Sequence, residues 1–248
     1  MNVSHAASAP RDRPVLILKV GQTHDAIRAR LGDFDDWIAA GLRQGGAHTV
    51  TLDPRHGTTL PEPSTLAGIV VSGSHAMVSD REPWSEALLP WVRQAVASRT
   101  PFLGICYGHQ LLAHAFGGEV AHHPDGVEIG TVTVRQEAAA QSDPLFAQLP
   151  SAFDALSVHW QSVRRLPEGA VWLASSAHEQ HHAFRIGANA WGVQFHPEFS
   201  VEALRAYLDG LGPVLAREGR DAAQLAAGLK ATPEAASVLA RFARLETA

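Results

Sequence analysis

In Pro101-Phe102-Leu103-Gly104-Ile105-Cys106-Tyr107-Gly108-His109-Gln110 a short apolar run gives way to a helical pattern. The run ending at Ile105 reads as a buried strand and residues 111–116 as a helix, so the sole cysteine of the chain falls where one becomes the other. A side chain at such a junction is presented at the carboxyl edge of a sheet. There it faces the first free N–H groups of the helix, which lower a thiol pKa and stabilise developing negative charge. Gly104 and Gly108 allow a tight strand-to-helix elbow and a close approach of substrate backbone. The same segment also reads as a buried structural cysteine, the usual fate of a lone thiol.

A second stretch bears on that choice. Trp191-Gly192-Val193-Gln194-Phe195-His196-Pro197-Glu198 reads as another strand that ends at a sheet edge, with Pro197 stopping the extended run and Glu198 opening a helix. A thiol nucleophile needs a base that titrates near neutrality, and imidazole supplies one. The base needs a third group to fix its tautomer, and Glu198 can turn back towards the far ring nitrogen of His196. Taken alone, these residues also suit a polar loop leading into a helix.

The pair of motifs, G-I-C-Y-G-H-Q at 104–110 and V-Q-F-H-P-E at 193–198, resembles the class I glutamine amidotransferases. The likeness runs over residues 14–207 and is greatest to the amidotransferase domain of GMP synthase and its free-standing relatives. It implies a triad of Cys106, His196 and Glu198 acting on the side-chain amide of glutamine or of a gamma-glutamyl compound. It places the oxyanion hole at the N–H groups of Gly73 and Tyr107. Many relatives carry Gly-Gly-Pro where this chain has Ser72-Gly73-Ser74, but the central glycine is kept. Small residues there let N–H groups converge on an anion. Among substrate contacts, the likeness points to Gly130, within Gly126-Val127-Glu128-Ile129-Gly130-Thr131, and to His159, Trp160 and Gln161. Gln161 stands where the family's His-x-Asp-x-Val segment has Asp, so an uncharged amide replaces a carboxylate. Gln110, one helical turn after the nucleophile, is a further contact candidate or a plain helix-surface amide.

The flanking chain predicts a three-layer α/β fold with an open, mostly parallel sheet and helices on both faces. Residues 15–20 and 68–71 are nearly continuous apolar runs, as strands covered on both faces require. Phe34, Trp37, Ile38 and Leu42 form one helical stripe, and Trp84, Leu88, Trp91, Val92 and Val96 another over 83–98. This alternation is that of folds whose ligands gather outside the carboxyl ends of the strands, so Gly73 and Cys106 share one rim. From 119 to about 165 the pattern changes to short strands between Pro and Ser turns, and strands follow near 170–174, 183–186 and 190–195. His122, His123, His178, His181 and His182 suggest a metal cluster at first sight. Their spacing gives two or three ligands at best, so they read as surface histidines, and the amide chemistry calls for no metal or other cofactor.

Three parts are expected: a disordered segment 1–13, an amidotransferase-like domain 14–217, and a helical extension 218–248 packed on that domain or at a homodimer contact. The chain has 248 residues, 46% of them hydrophobic, and a net charge of -5 with both signs interspersed. That suits one substantial core and advertises no nucleic-acid or anionic-membrane surface. One cysteine excludes an internal disulfide framework, and no apolar run approaches a membrane span, so a cytoplasmic enzyme is expected. Neither a phosphate-binding glycine loop nor a Ser-Gly-Gly-x-Asp-Ser run is present, so transfer of ammonia to an acceptor would need a separate synthetase partner. The alternatives are a gamma-glutamyl peptide hydrolase, which needs no partner, and a non-catalytic regulatory domain of the same fold.

Overall fold

The computed structural model describes residues 13–245. The segment expected to be disordered therefore lies, but for Arg13, outside the described residues. In chain order the elements are β1 (Val15–Leu18), α1 (Asp25–Leu31), α2 (Phe34–Gln44), β2 (Thr49–Leu52), β3 (Gly68–Val71), α3 (Pro83–Ala97), β4 (Phe102–Ile105), α4 (Tyr107–Ala115), β5 (Glu119–His122), β6 (Glu128–Gln136), β7 (Ala152–His159), β8 (Gln161–Arg165), β9 (Val171–Ser175), β10 (Ala183–Ile186), β11 (Ala190–Val193), α5 (Val201–Arg217), α6 (Ala222–Ala227) and α7 (Pro233–Phe242).

Nine strands form one sheet in the order β2-β1-β3-β4-β11-β10-β9-β6-β7, and β5 pairs with β8 in a small second sheet. The first five strands run parallel, and the remainder continue antiparallel. Alternation along β1 separates the layers. Val15 and Ile17 join Ile38 and Leu42 of α2 and Leu239 of α7 in one core cluster. Leu16 and Leu18 join Leu88 and Val92 of α3 and Leu112 of α4 in another. All four residues of β1 are buried, which is why its sequence carries no polar member. This is the three-layer α/β sandwich that the strand and helix pattern predicts.

One strand pairing matters most for the site. β4 lies parallel to β11 with Ile105 opposite Val193, and the Cys106 N–H donates to the Val193 carbonyl at 2.9 Å. Residues distant in sequence thus leave the sheet side by side at its carboxyl edge. β11 ends at Val193, two residues before the expected strand end, and Glu198 does not open a helix. α5 begins at Val201, where the Ser200 side chain caps it by accepting from the Ala203 N–H. The intervening turn carries His196 and Glu198 together. α1, short and with only Ile27 buried, has too weak an apolar stripe to be seen in the sequence.

At the C-terminal end, Val238, Leu239 and Phe242 of α7 are buried in the first core cluster. Gly41 of α2 lies so close to Leu239 that a side chain there would overlap it. No described helix is long and apolar enough to cross a membrane.

Candidate active site

Cys106 is the N-terminal cap of α4 and has φ 49° and ψ -97°, a conformation that L-residues rarely adopt. The elbow exists because two glycines let backbones touch. A side chain at Gly104 would overlap the Gly108 carbonyl, and one at Gly108 would come within 2.6 Å of the Val71 carbonyl. Gly104→Ala is therefore expected to destabilise the chain by about 3 kcal/mol. Gly210→Ala, in a helix with open space around it, should instead stabilise by up to about 1 kcal/mol. Urea denaturation of the two variants beside the parent checks both signs.

His196 faces the elbow from the turn that follows β11. Its Nδ1 lies 2.7 Å from Glu198 Oε1, and both side chains are almost wholly buried. The ring stacks on Phe199 with centroids 4.1 Å apart, which fixes its plane. Burial opposes a charged imidazole, but the Glu198 carboxylate and the Cys106 sulfur outweigh it and raise the His196 pKa to about 10. The remaining nitrogen, Nε2, is buried with no hydrogen-bond partner. A Cβ built on Gly73 would lie 3.2 Å from His196 Cε1 and 3.9 Å from Cys106 Cβ, so the 72–74 loop passes directly over the pair. The Tyr107 phenol is turned away, bonded to Ser85 Oγ at 2.6 Å and pushed up to about 12, chiefly by burial.

These groups open into a pocket of about 240 Å³. Cys106, Tyr107, Gln110, His159, Trp160, Gln161 and His196 all line it. Gln110 is no helix-surface amide: its Nε2 donates to the Gln161 carbonyl at 2.7 Å and to Gln194 Oε1 at 3.0 Å. The Gln161 side chain in turn bonds Ser79, through both its amide nitrogen and its oxygen. Gly130 departs from expectation. It lies within β6 opposite Ser157, nearest to Leu225 of α6, and is not part of the pocket wall.

Part of the wall escaped sequence reasoning. In the sequence Phe34 falls on the apolar stripe of α2, Tyr207 on that of a helix running from Val201 to Leu215, and His75 in the loop after β3. In the structure all three line the pocket. His75 Nε2 lies 3.1 Å from the Tyr207 hydroxyl, and its ring stacks on His24 at 4.5 Å. Burial, with His24 and His196 nearby, lowers the His75 pKa. The signal was a tyrosine within the apolar stripe of α5, whose buried hydroxyl needs a partner.

The histidine-rich segments require a correction. His122 is exposed and His178 half-buried, but His123, His181 and His182 are buried rather than on the surface. They are enclosed because β6, β9 and β10 are neighbours in the sheet, which brings the 176–182 turn over Glu128. Among the described residues, Glu128, His159 and His182 form the one group that brings three metal-ligating atoms within 4.8 Å of one another.

Residues 32–208 match the family model described as glutamine amidotransferase class-I. A GMP synthase (glutamine-hydrolyzing) of Thermosipho africanus is 37% identical over 134 residues, 53% of this chain and 24% of that protein. A gamma-glutamyl-L-1-hydroxyisopropylamide hydrolase of a Pseudomonas species is 35% identical over 156 residues, 60% of this chain and 52% of that one. The chain thus spans about half or less of the length of these two relatives. A solved glutamine amidotransferase of Methylobacillus flagellatus superposes with a TM-score of 0.69 and 25% identity, covering 94% of this chain and 91% of the other. The family match takes in well over half of the sequence, and the chain belongs to the class-I glutamine amidotransferases.

Proposed function

We propose that the chain hydrolyses the gamma-carboxamide of glutamine to glutamate and ammonia through a thioester on Cys106. The observation that carries this reading is the His196–Glu198 pair, 2.7 Å apart and buried, with the free Nε2 of His196 in the pocket that holds Cys106. In this cycle His196, whose pKa is raised, takes the proton of Cys106. The sulfur attacks the amide carbon, forming a C–S bond and an oxyanion that accepts from the N–H groups of Gly73 and Tyr107. His196 then protonates the departing nitrogen, the C–N bond breaks, and ammonia leaves. Water, deprotonated by His196, attacks the thioester, and glutamate departs as the thiolate re-forms. Gln110, through the Gln161 carbonyl, and Ser79, through the Gln161 side chain, hold the shelf of Trp160 and Gln161 on which the amino-acid end of the substrate would rest. The residues that line the pocket supply every acid, base and nucleophile that this cycle uses.

A second reading, hydrolysis of gamma-glutamyl amides or peptides, is favoured by the apolar part of the wall. Phe34, Trp160, Phe199, Tyr207 and Leu211 offer more apolar surface than ammonia needs as a leaving group. The Pseudomonas relative is named for hydrolysis of such an amide. Transfer of ammonia to an acceptor would instead require a synthetase activity beyond this site. Steady-state assays of the purified chain on glutamine and on a panel of gamma-glutamyl amides, reading glutamate and the released amine separately, decide among these. Turnover without a partner is expected, with glutamine first. A chain that is labelled at Cys106 by a glutamine affinity reagent yet turns over none of these until a second protein is added would overturn the free-standing reading.

A further inference from the structure

We propose that Glu128, His159 and His182 form a mononuclear Zn2+ site behind the substrate shelf. Glu128 Oε2 lies 2.9 Å from His159 Nε2 and 2.9 Å from His182 Nε2, and all three side chains are almost wholly buried. The decisive detail is on the other side of the His159 ring. Its Nδ1 is 2.9 Å from the Gln161 carbonyl oxygen, which can only accept. A neutral imidazole carries one proton, so if Nδ1 donates to that carbonyl, the bare lone pair of Nε2 is aimed at a carboxylate oxygen. Placing the proton on Nε2 merely moves the conflict to the carbonyl. Two buried acceptors at 2.9 Å need a cation between them, and a metal ion is one that satisfies both histidines and the carboxylate together.

The surroundings are those of a metal-ligating histidine, whose second nitrogen typically donates to a backbone carbonyl or carboxylate. The carboxylate is also held from behind: Ser176 Oγ donates to Oε1 at 2.6 Å, and Ser157 Oγ to Oε2 at 3.2 Å. Zinc binds imidazole nitrogen and carboxylate oxygen at about 2.0–2.2 Å, which at tetrahedral angles separates neighbouring ligand atoms by about 3.3 Å. The two observed separations need to open by only a few tenths of an ångström. Two imidazoles and one carboxylate are a borderline donor set, better matched to Zn2+ than to Mg2+ or Ca2+. A surface depression lined by Glu128, Ser176 and His178 gives the ion and a water ligand a way in. His182 Nδ1 is buried without a partner whether its Nε2 meets a proton or a metal, so it favours neither. The ion would tie β6, β7 and the 176–182 turn together beneath Val158, His159 and Trp160, and so fix one wall of the pocket without touching the reacting amide.

The test uses untagged full-length protein carrying Cys106→Ala, because a cysteine beside a histidine binds zinc by itself. After chelation and buffer exchange, Zn2+ is titrated in by calorimetry and the bound metal is counted by elemental analysis. One equivalent is expected. His182→Gln, which keeps a donor towards Glu128, should weaken binding at least about 100-fold, more than the loss of an outer-shell partner does. Glu128→Gln serves as the second variant should the first fail to fold. Zinc-edge X-ray absorption on the Cys106→Ala protein should show only nitrogen and oxygen neighbours, with the scattering of two imidazoles. Substoichiometric binding to the Cys106→Ala protein, binding unchanged by either variant, or a spectrum without two imidazoles would overturn the site. Glu128, His159 and His182 would then be joined as an ion pair by a second proton on His159.

Discussion

Cys106→Ala is expected to lower amide hydrolysis by at least about 10⁴-fold, because removing the proposed covalent nucleophile leaves only binding and the proposed oxyanion donors to act on the substrate. The fold should survive. Cys106 is 8% exposed and part of the core, so deletion of its sulfur costs about 1 kcal/mol, less than truncation of a larger buried side chain. Its backbone makes a sharper prediction. At φ 49° and ψ -97° any L-residue is strained by about 1–3 kcal/mol, whereas glycine is not. Cys106→Gly should be as inactive as Cys106→Ala and yet more stable than it, by about 1 kcal/mol after glycine's entropic cost. Glutamate release in coupled assays and urea midpoints measure the two effects. Residual turnover within a factor of two of the parent removes Cys106 from the chemistry. A glycine variant that unfolds before the alanine variant removes strain from the account.

The elbow was legible in the sequence because its own residues are contiguous. An apolar strand, a junction residue, two flanking glycines and a helical stripe all fall within Pro101 to Phe116, although the finished elbow also leans on Val71 and Val193. The meeting of Cys106 with His196 is not local. It depends on β11 inserting beside β4, after the chain has run out to β6 and β7 and come back through β9 and β10. No periodicity in residues 190–198 announces which neighbour that strand will choose; the resemblance of two short motifs did.

Burial that comes from the chain returning on itself left no mark in the sequence. His181 and His182 sit in a polar, histidine-rich turn that looks solvated, and their enclosure follows from the pairing of β9 with both β10 and β6. Glu128 sits in the sequence between Gly126 and Gly130 with nothing to mark it, yet its carboxyl is held well below the usual range. Burial opposes that ionisation, but His182 and His159 outweigh it. Gly130 was carried from the resemblance into the substrate site, while in β6 it stands opposite Ser157 and is not part of the pocket wall. His75 and Tyr207 belong to a loop and a helix that meet only in the folded chain. Each miss concerns a residue whose partner lies far along the sequence.

Glu198→Gln tests the other half of the proposed chemistry. Glu198 Oε1 meets His196 Nδ1 at 2.7 Å, and its Oε2 is buried without a partner. A glutamine in the same place either keeps an acceptor towards Nδ1 and buries an unpaired NH₂, or turns the NH₂ inward and forces the proton onto Nε2. The first arrangement costs about 1–3 kcal/mol, and the second leaves His196 in the wrong tautomer to act as a base. We expect kcat to fall by about 10³-fold, less than for Cys106→Ala, because the nucleophile and the oxyanion donors remain. The pH profile should move as well. The parent His196 pKa is raised to about 10, so the imidazolium that protonates the leaving nitrogen persists through neutral pH and is lost as pH rises through that value. Without the Glu198 charge the pKa drops by about 1–3 units, and the alkaline limb of kcat should shift down by the same amount. Stability follows the same sign. A folded pKa above the unfolded value of about 6.5 stabilises fully below that pH and fades as pH rises through the folded value. The difference in melting temperature between parent and variant should therefore shrink from pH 7 towards pH 10. A variant with parental kcat and an unmoved alkaline limb would show that Glu198 holds the turn in place and takes no part in setting the charge on His196.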